Sequence, residues 1–358
     1  MAKKARPAKD KRPARETNPS ILKKAMIERL PRRLSGSGQI TLAASPALLD
    51  HHVQTLHAAF AQLGRVFNEE ETKQLRGILE KKVQEGFEAS PYARIVVNYE
   101  TDTPPKTSLS YRVMTVVSTV ADEYETWVKT RKPPYFGTHP DAKVVDAARS
   151  LGAPKDVPAL DIGAGTGRNT LPLAREGFPT DAIELTPSLA RMLREEVEKE
   201  QLPVRVYEGD AVAGAATLAE GHYKLVFLSE VIASHIRSVE EVHALLKRAS
   251  DALAPGGLLL FNAFVPTEGY KPDAFVRELS QVFWCNVFTR GELERAVQGL
   301  GFELIADEST YEYELSHLPK EAWPPTGWFV DWSLGHDLFD LPRGSSPIEL
   351  RWLTYRRL

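Results

Sequence analysis

Cysteine is almost missing from these 358 residues: Cys285 stands alone. That excludes an internal disulfide and any zinc site built from several thiolates. No run of about eighteen apolar residues occurs, so no stretch reads as a membrane-crossing helix. The N-terminus lacks the apolar core of a signal peptide, and cytoplasmic residence is the expectation. His336-Asp337 with Asp340 is too short a cluster to imply a metal, and none is expected. No aromatic residue precedes Phe60, which deprives the start of the chain of the rings that stack on bases. That start is nonetheless basic. Residues 1–37 carry twelve Lys and Arg against Asp10, Glu16 and Glu28, a net of +9 that leaves −12 on the remainder. Residues 1–40 therefore read as a disordered, solubilising tail, with nucleic acid as an alternative partner.

What the chain does have is centred on residues 157–170. Val157, Ala159, Leu160 and Ile162 form an apolar strand, Gly163, Gly165 and Gly167 follow at alternate positions, and a helical pattern begins at about Asn169. A strand that runs through glycines into a helix brings bare backbone up to a nucleotide-like ligand. The dinucleotide fingerprint wants its third glycine where this chain has Arg168. Asp161, at the tip of the strand, would repel a pyrophosphate on the helix N-terminus and welcome a cationic ligand without phosphates. A second strand, Thr180–Ile183, ends at Glu184, placed to accept hydrogen bonds from ribose hydroxyls. Helix 187–200 and a third strand, Val204–Tyr207, lead to Gly209-Asp210-Ala211. Tyr223–Leu228 reads as a fourth strand. Leu258–Phe264, after the Pro255-Gly256-Gly257 turn, reads as a fifth.

The run Asp161-x-Gly-x-Gly-x-Gly, followed in register by Glu184, Asp210 and the Pro-Gly-Gly turn, resembles the class I S-adenosylmethionine (SAM)-dependent methyltransferases. The resemblance covers residues 157–310 and the last strand, Ile348–Tyr355. It implies an α/β fold: a Rossmann-like, doubly wound, seven-stranded sheet with an antiparallel last strand. It implies SAM as cofactor, with Gly163, Gly165 and Gly167 admitting the methionine end and Asp161 holding its ammonium. Glu184 would take the ribose and Asp210 the adenine, with Leu185, Ala211 and Ser229 completing the set. Gly167–Ala174, Phe288–Leu293 and the closing Leu-Arg-Trp-Leu-Thr-Tyr are most similar to the tellurite-resistance type, which methylates small nucleophiles.

The chain departs from that pattern in two places. Residues 41–132 predict a mostly helical accessory domain, with stripes at Leu49–Leu63 and Leu75–Phe87 and an Asn68/Glu71 capping box. Ile95–Tyr99 and Leu109–Val113 offer a possible strand pair within it. The rest, 133–358, is expected to be the methyltransferase domain, with an aromatic insert at about 316–347 that would cover the substrate or dock the N-terminal helices. Tyr135 and Phe136 are candidate lid residues just upstream of the glycine turn.

Methyl transfer is an in-line displacement, so positioning and desolvation carry much of the catalysis. An amine or hydroxyl acceptor also needs a proton taken, and His235 and His317 are the catalytic candidates. The reading is transfer to a small or medium organic acceptor. RNA or protein methylation, using the basic tail and helical domain for recognition, and a non-catalytic SAM-binding adaptor stand as alternatives. Oligomeric state is not indicated.

Overall fold

The computed structural model describes residues 15–103, 106, 108–214 and 217–358. The first fourteen residues of the basic tail lie outside that set. The next part of the tail is ordered, against expectation. Asn18 accepts from the Ser20 N–H at 2.9 Å and starts helix α1 (Pro19–Ile27), none of whose residues is buried. Residues 37–40 belong to a strand. Gly36 and Gly38 masked it in the sequence, and only its neighbour's hydrogen bonds define it.

That strand, β1 (Ser37–Ala43), pairs antiparallel with β2 (Arg94–Thr101), which pairs antiparallel with β3 (Leu109–Val116). Helices α2 (Leu49–Gln62) and α3 (Glu69–Ala89) pack on one face of this sheet. Leu56, Phe60, Leu75, Leu79, Val83, Ile95 and Val97 close a core with no measurable exposure. The Asn68/Glu71 box caps α3 as the sequence indicated. A second box, Thr119/Asp122, starts α4 (Val120–Thr130), whose indole and phenol side chains face the other half of the molecule. Helices thus supply most of the residues of this domain, and a small sheet gives them a floor.

The larger sheet runs in the order β6-β5-β4-β7-β8-β10-β9. Its strands are β4 (Ala159–Ile162), β5 (Thr180–Glu184), β6 (Val204–Glu208), β7 (Tyr223–Leu228), β8 (Leu253–Pro266), β9 (Phe302–Ser309) and β10 (Ile348–Arg357). The pairings among β4 to β8 are parallel, and β10 inserts antiparallel between β8 and β9. The central strands read as unbroken apolar runs because helices cover both faces. These helices are α5 (Ala142–Ser150), α6 (Thr170–Arg175), α7 (Pro187–Glu200), α8 (Val231–His235), α9 (Val239–Ala252), α10 (Ala274–Val282), α11 (Arg290–Val297), α12 (Thr310–His317) and α13 (Phe329–Ser333). Pro255-Gly256-Gly257, read as a turn, lies inside β8: pairing jumps from Tyr223↔Leu253 to Leu225↔Leu258, and the surplus residues bulge.

Strand order reverses at β4, which has β5 on one side and β7 on the other. A crevice opens outside the carboxyl ends of such strands. The N-terminal domain is fastened over that end by long-range polar contacts. Glu278 on α10 accepts from the Ser45 hydroxyl at 2.6 Å and from the Ala47 N–H. Arg237 donates to the Phe87 carbonyl at 2.8 Å, and Glu125 of α4 accepts from Ser188 at the start of α7. Two hydrogen bonds to one carboxylate are worth about 1–3 kcal/mol between them. Glu278→Ala is expected to destabilise the chain by that amount in urea unfolding, and to make the 131–137 linker more sensitive to limited proteolysis.

Candidate functional site

The glycine turn is built by backbone conformation. Gly163 and Gly165 both have positive φ, +83° and +56°. A side chain at Gly163 would run into Val231, and a Cβ at Gly165 would sit 3.0 Å from the ring of Phe136. The turn is therefore closed from above by the linker, and Phe136 takes the lid position that the sequence divided between two residues; Tyr135 does not line the cavity.

Beneath that ring lies a cavity of about 260 Å³. Its wall brings together Gly163, Gly165, Glu184, Leu185, Asp210, Ala211, Ser229 and His235, eight of the residues expected from sequence. Glu184 accepts from the Gly165 N–H at 2.8 Å and from the Thr186 N–H at 2.7 Å, and burial pushes its carboxyl up. Asp210 accepts with one oxygen from the N–H groups of Val212 and Ala213, and no hydrogen bond among the described residues uses the other. Leu185, 37% exposed, offers a flat apolar contact beside them. Spare carboxylate lone pairs, an apolar slab and bare glycine backbone fit a nucleoside that carries no phosphate.

Three expected residues sit differently. Gly167 serves packing, its missing side chain making room for Leu171 and Leu193. Asp161 is only 2% exposed and does not line the cavity. Its carboxylate accepts from the Thr170 hydroxyl at 2.6 Å, and burial raises its pKa to about 7. Asp161 thus lies one layer behind the glycine turn, and any cation it favours is held through the field. His317 is not brought to the site. It is exposed at the end of α12, stacked on Tyr313 at 4.1 Å, beside a separate groove formed by β9 and β10. The insert at about 316–347, one of whose expected places was over the substrate, does not reach the cavity either. The aromatic insert packs against the sheet instead, and no insert residue lines the cavity.

His235 reaches the cavity and is fully engaged there. The Tyr92 hydroxyl donates to the Ser234 carbonyl at 3.1 Å and lies 3.0 Å from His235 Nδ1, so it accepts from that nitrogen. The remaining nitrogen, Nε2, then accepts from the Tyr124 hydroxyl at 3.0 Å. Burial lowers the imidazole pKa to about 4 and raises that of the Tyr124 phenol. The histidine is neutral at physiological pH. Trp284 stands 5.3 Å from its ring and stacks on Trp127 at 5.4 Å, with Arg131 over the other indole face. Tyr92, Tyr124 and Trp284 are not among the site residues read from sequence, Tyr124 being read only as part of a helix stripe. Their only signal is aromatic character, and Tyr92 and Tyr124 meet His235 from 143 and 111 positions away along the chain.

Arg168, the residue that breaks the dinucleotide pattern, is buried at the root of the turn. It pairs with Asp141 and, at 2.8 Å, with Glu230. Asp141 also accepts from Ser229 at 2.6 Å and Asn169 at 2.9 Å. Glu230 follows β7 with φ +65°, a strained value for a side chain of this size, and its N–H is held by Asn262 at 2.7 Å. Burial raises its carboxyl to about 7.

Residues 159–257 match the family described as "Methyltransferase domain". That match places a methyltransferase domain over the glycine turn, Glu184 and Asp210. A demethylmenaquinone methyltransferase of Tropheryma whipplei (strain Twist) is 26% identical over 168 residues, which span 47% of this chain and 61% of that protein. Among solved structures, the geranyl diphosphate C-methyltransferase of Streptomyces coelicolor A3(2) aligns with 61% of this chain and 80% of its own, at 17% identity and a TM-score of 0.46. The Haemonchus contortus phospholethanolamine N-methyltransferase 2 covers 74% and 69%, at 16% identity and a TM-score of 0.48. Membership of the tellurite-resistance subgroup is not among these likenesses.

Asp161 gives the methyltransferase domain a measurable pH signature. Its carboxyl titrates at about 7 in the folded chain and near 4 in an unfolded one. The folded state therefore keeps a proton that the unfolded state releases, and stability from this group falls as pH rises from about 4 to 7. Asp161→Asn is expected to melt at a higher temperature than the wild type at pH 8 and at about the same temperature at pH 4.5, read by calorimetry.

Proposed function

We propose that this chain transfers the methyl group of SAM to a small or medium organic acceptor bound between its two domains. The observation that carries the reading is the cavity itself. Bare glycine backbone, Glu184 and Asp210 meet on one side, and Tyr124 and Phe136 close the other. Bound there, SAM supplies a methyl carbon activated by a sulfonium. Glu184 holds the ribose hydroxyls, Asp210 takes the adenine amino group through its other oxygen, and the Asp161 carboxylate behind the turn favours the positive charge of the methionine end. Gly163 and Gly165 let that end approach.

The aromatic wall excludes water from the reacting centre, and a dry site strengthens every charge interaction within it. His235, neutral and bonded at both nitrogens, holds the Tyr124 hydroxyl in one place and positions the wall. With its pKa lowered to about 4, it is a poor sink for an acceptor's proton. The enclosure by α4 and the linker favours a small acceptor over a polymer. The basic stretch that would serve RNA binding lies on and before the exposed α1.

Titration calorimetry with SAM tests the reading. The wild type is expected to bind with micromolar affinity, and Glu184→Gln to weaken binding about 10–100-fold, the loss of about 1.4–2.8 kcal/mol of charge-assisted hydrogen bonding. Removal of residues 1–34 is expected to leave both SAM affinity and methyl transfer from labelled SAM to a small-molecule extract intact. Tight uptake of NAD with no response to SAM would overturn it.

A further inference from the structure

Resting on the methyl-transfer reading, we infer that the acceptor is an amine, engaged and deprotonated by the carboxylate of Glu230. Four carboxylates line the cavity, those of Glu184, Asp210, Glu230 and Glu241, and among the described residues no lysine or arginine does. Such a wall repels a phosphate monoester or a free carboxylate and attracts a cation. The rings of Tyr124 and Phe136 add faces on which an ammonium is stabilised.

The four acids are not equivalent. Glu184 and Asp210 are fixed by backbone N–H groups and belong to the nucleoside side. Glu241 caps the start of α9, accepting from the N–H groups of Arg237 and Ser238 at 2.7 and 3.2 Å. Glu230 is held differently. Arg168 engages Oε1, and no hydrogen bond among the described residues uses Oε2. The backbone that aims it is left-handed at φ +65° and pinned through Asn262. Strain kept in place by a buried polar contact is a mark of a residue whose direction matters.

The chemistry balances without another base. The acceptor arrives as an ammonium and gives one N–H proton to the Glu230 carboxylate. The freed nitrogen lone pair forms a bond to the methyl carbon while the carbon–sulfur pair returns to sulfur, leaving a neutral thioether. The product leaves as an N-methylammonium, and Glu230 then releases its proton to solvent. A carboxyl already raised to about 7 by burial suits a base that must be ionised yet able to hold a proton. His235 cannot take that part, since the Tyr124 O–H occupies its only acceptor nitrogen.

The test uses three pools matched in size, arylalkyl amines, arylalkyl alcohols and arylalkyl phosphate monoesters, each incubated with the full chain and methyl-labelled SAM. Label is expected in the amines alone. Calorimetry on protein saturated with S-adenosylhomocysteine is expected to show at least tenfold tighter binding of the best amine than of the alcohol of the same shape. Glu230→Gln is expected to lower kcat at least 100-fold while SAM affinity stays within threefold. Glu230→Asp, which keeps a charge beside Arg168, is expected to fall between the two, and it carries the test if Glu230→Gln folds poorly. Label in alcohols or phosphates, no label in amines while SAM binds, or wild-type turnover by Glu230→Gln would overturn the inference. A chain that takes up no SAM by calorimetry overturns the methyl-transfer reading beneath it as well.

Discussion

One buried cation organises the reacting end of the sheet. The Arg168 guanidinium, with 8% of its side chain exposed, joins Asp141 ahead of α5 to Glu230 after β7. Asp141 in turn collects Ser229 and Asn169. Three segments that approach β4 from different directions are thereby fixed to one planar fork. A buried ion pair of this kind contributes little net stability compared with an apolar contact of the same size. What it fixes is geometry: the peptide after β7 is turned into a conformation that a side chain of this kind rarely adopts, and its carboxylate is presented to the cavity.

Burial also sets the electrostatics of the cavity. Burial raises the carboxyls of Asp161, Glu184 and Glu230, and beyond the cavity that of Glu314, which caps α5 and accepts from the Trp352 indole at 3.1 Å. Each holds its proton to a higher pH than a solvated carboxyl does. Among the described residues Arg168 offsets the shifts of Asp161 and Glu230, and it is shared between Asp141 and Glu230. A cationic ligand therefore relieves a cost already present in the fold, which makes affinity for such a ligand a property of the scaffold as well as of direct contacts.

Much of this was legible in the residues. Apolar runs bounded by glycines and acids located the parallel strands β4 to β8, because strands covered on both faces leave little polar alternation to confuse them. The glycine turn and Glu184 were readable because backbone approach and strand ends impose residue types locally. Strand β1 was not readable: Ser37-Gly38 has no preference for extension, and only pairing with β2 supplies it. Asp161 was identified but its depth was not, since depth is set by Thr170 and the strands beside it. His235 was placed correctly near the cavity, whereas its neutrality follows from burial, to which Tyr92 and Tyr124 from the N-terminal region contribute. Arg168 showed only as the residue that spoils a fingerprint, because the value of a buried guanidinium lies in partners far along the chain.

Tyr124 comes from a domain with its own sheet and its own closed core, and it meets the methyltransferase domain at His235 and the cavity wall. The two halves of the chamber are thus encoded separately, one by a strand-and-glycine framework that tolerates little change, the other by a helix mounted on an independent support. Such a division lets evolution recut the outer wall without disturbing the inner one. A lineage built on this plan can diversify in what it modifies by altering residues around α4, while the apparatus beneath the glycine turn stays constant.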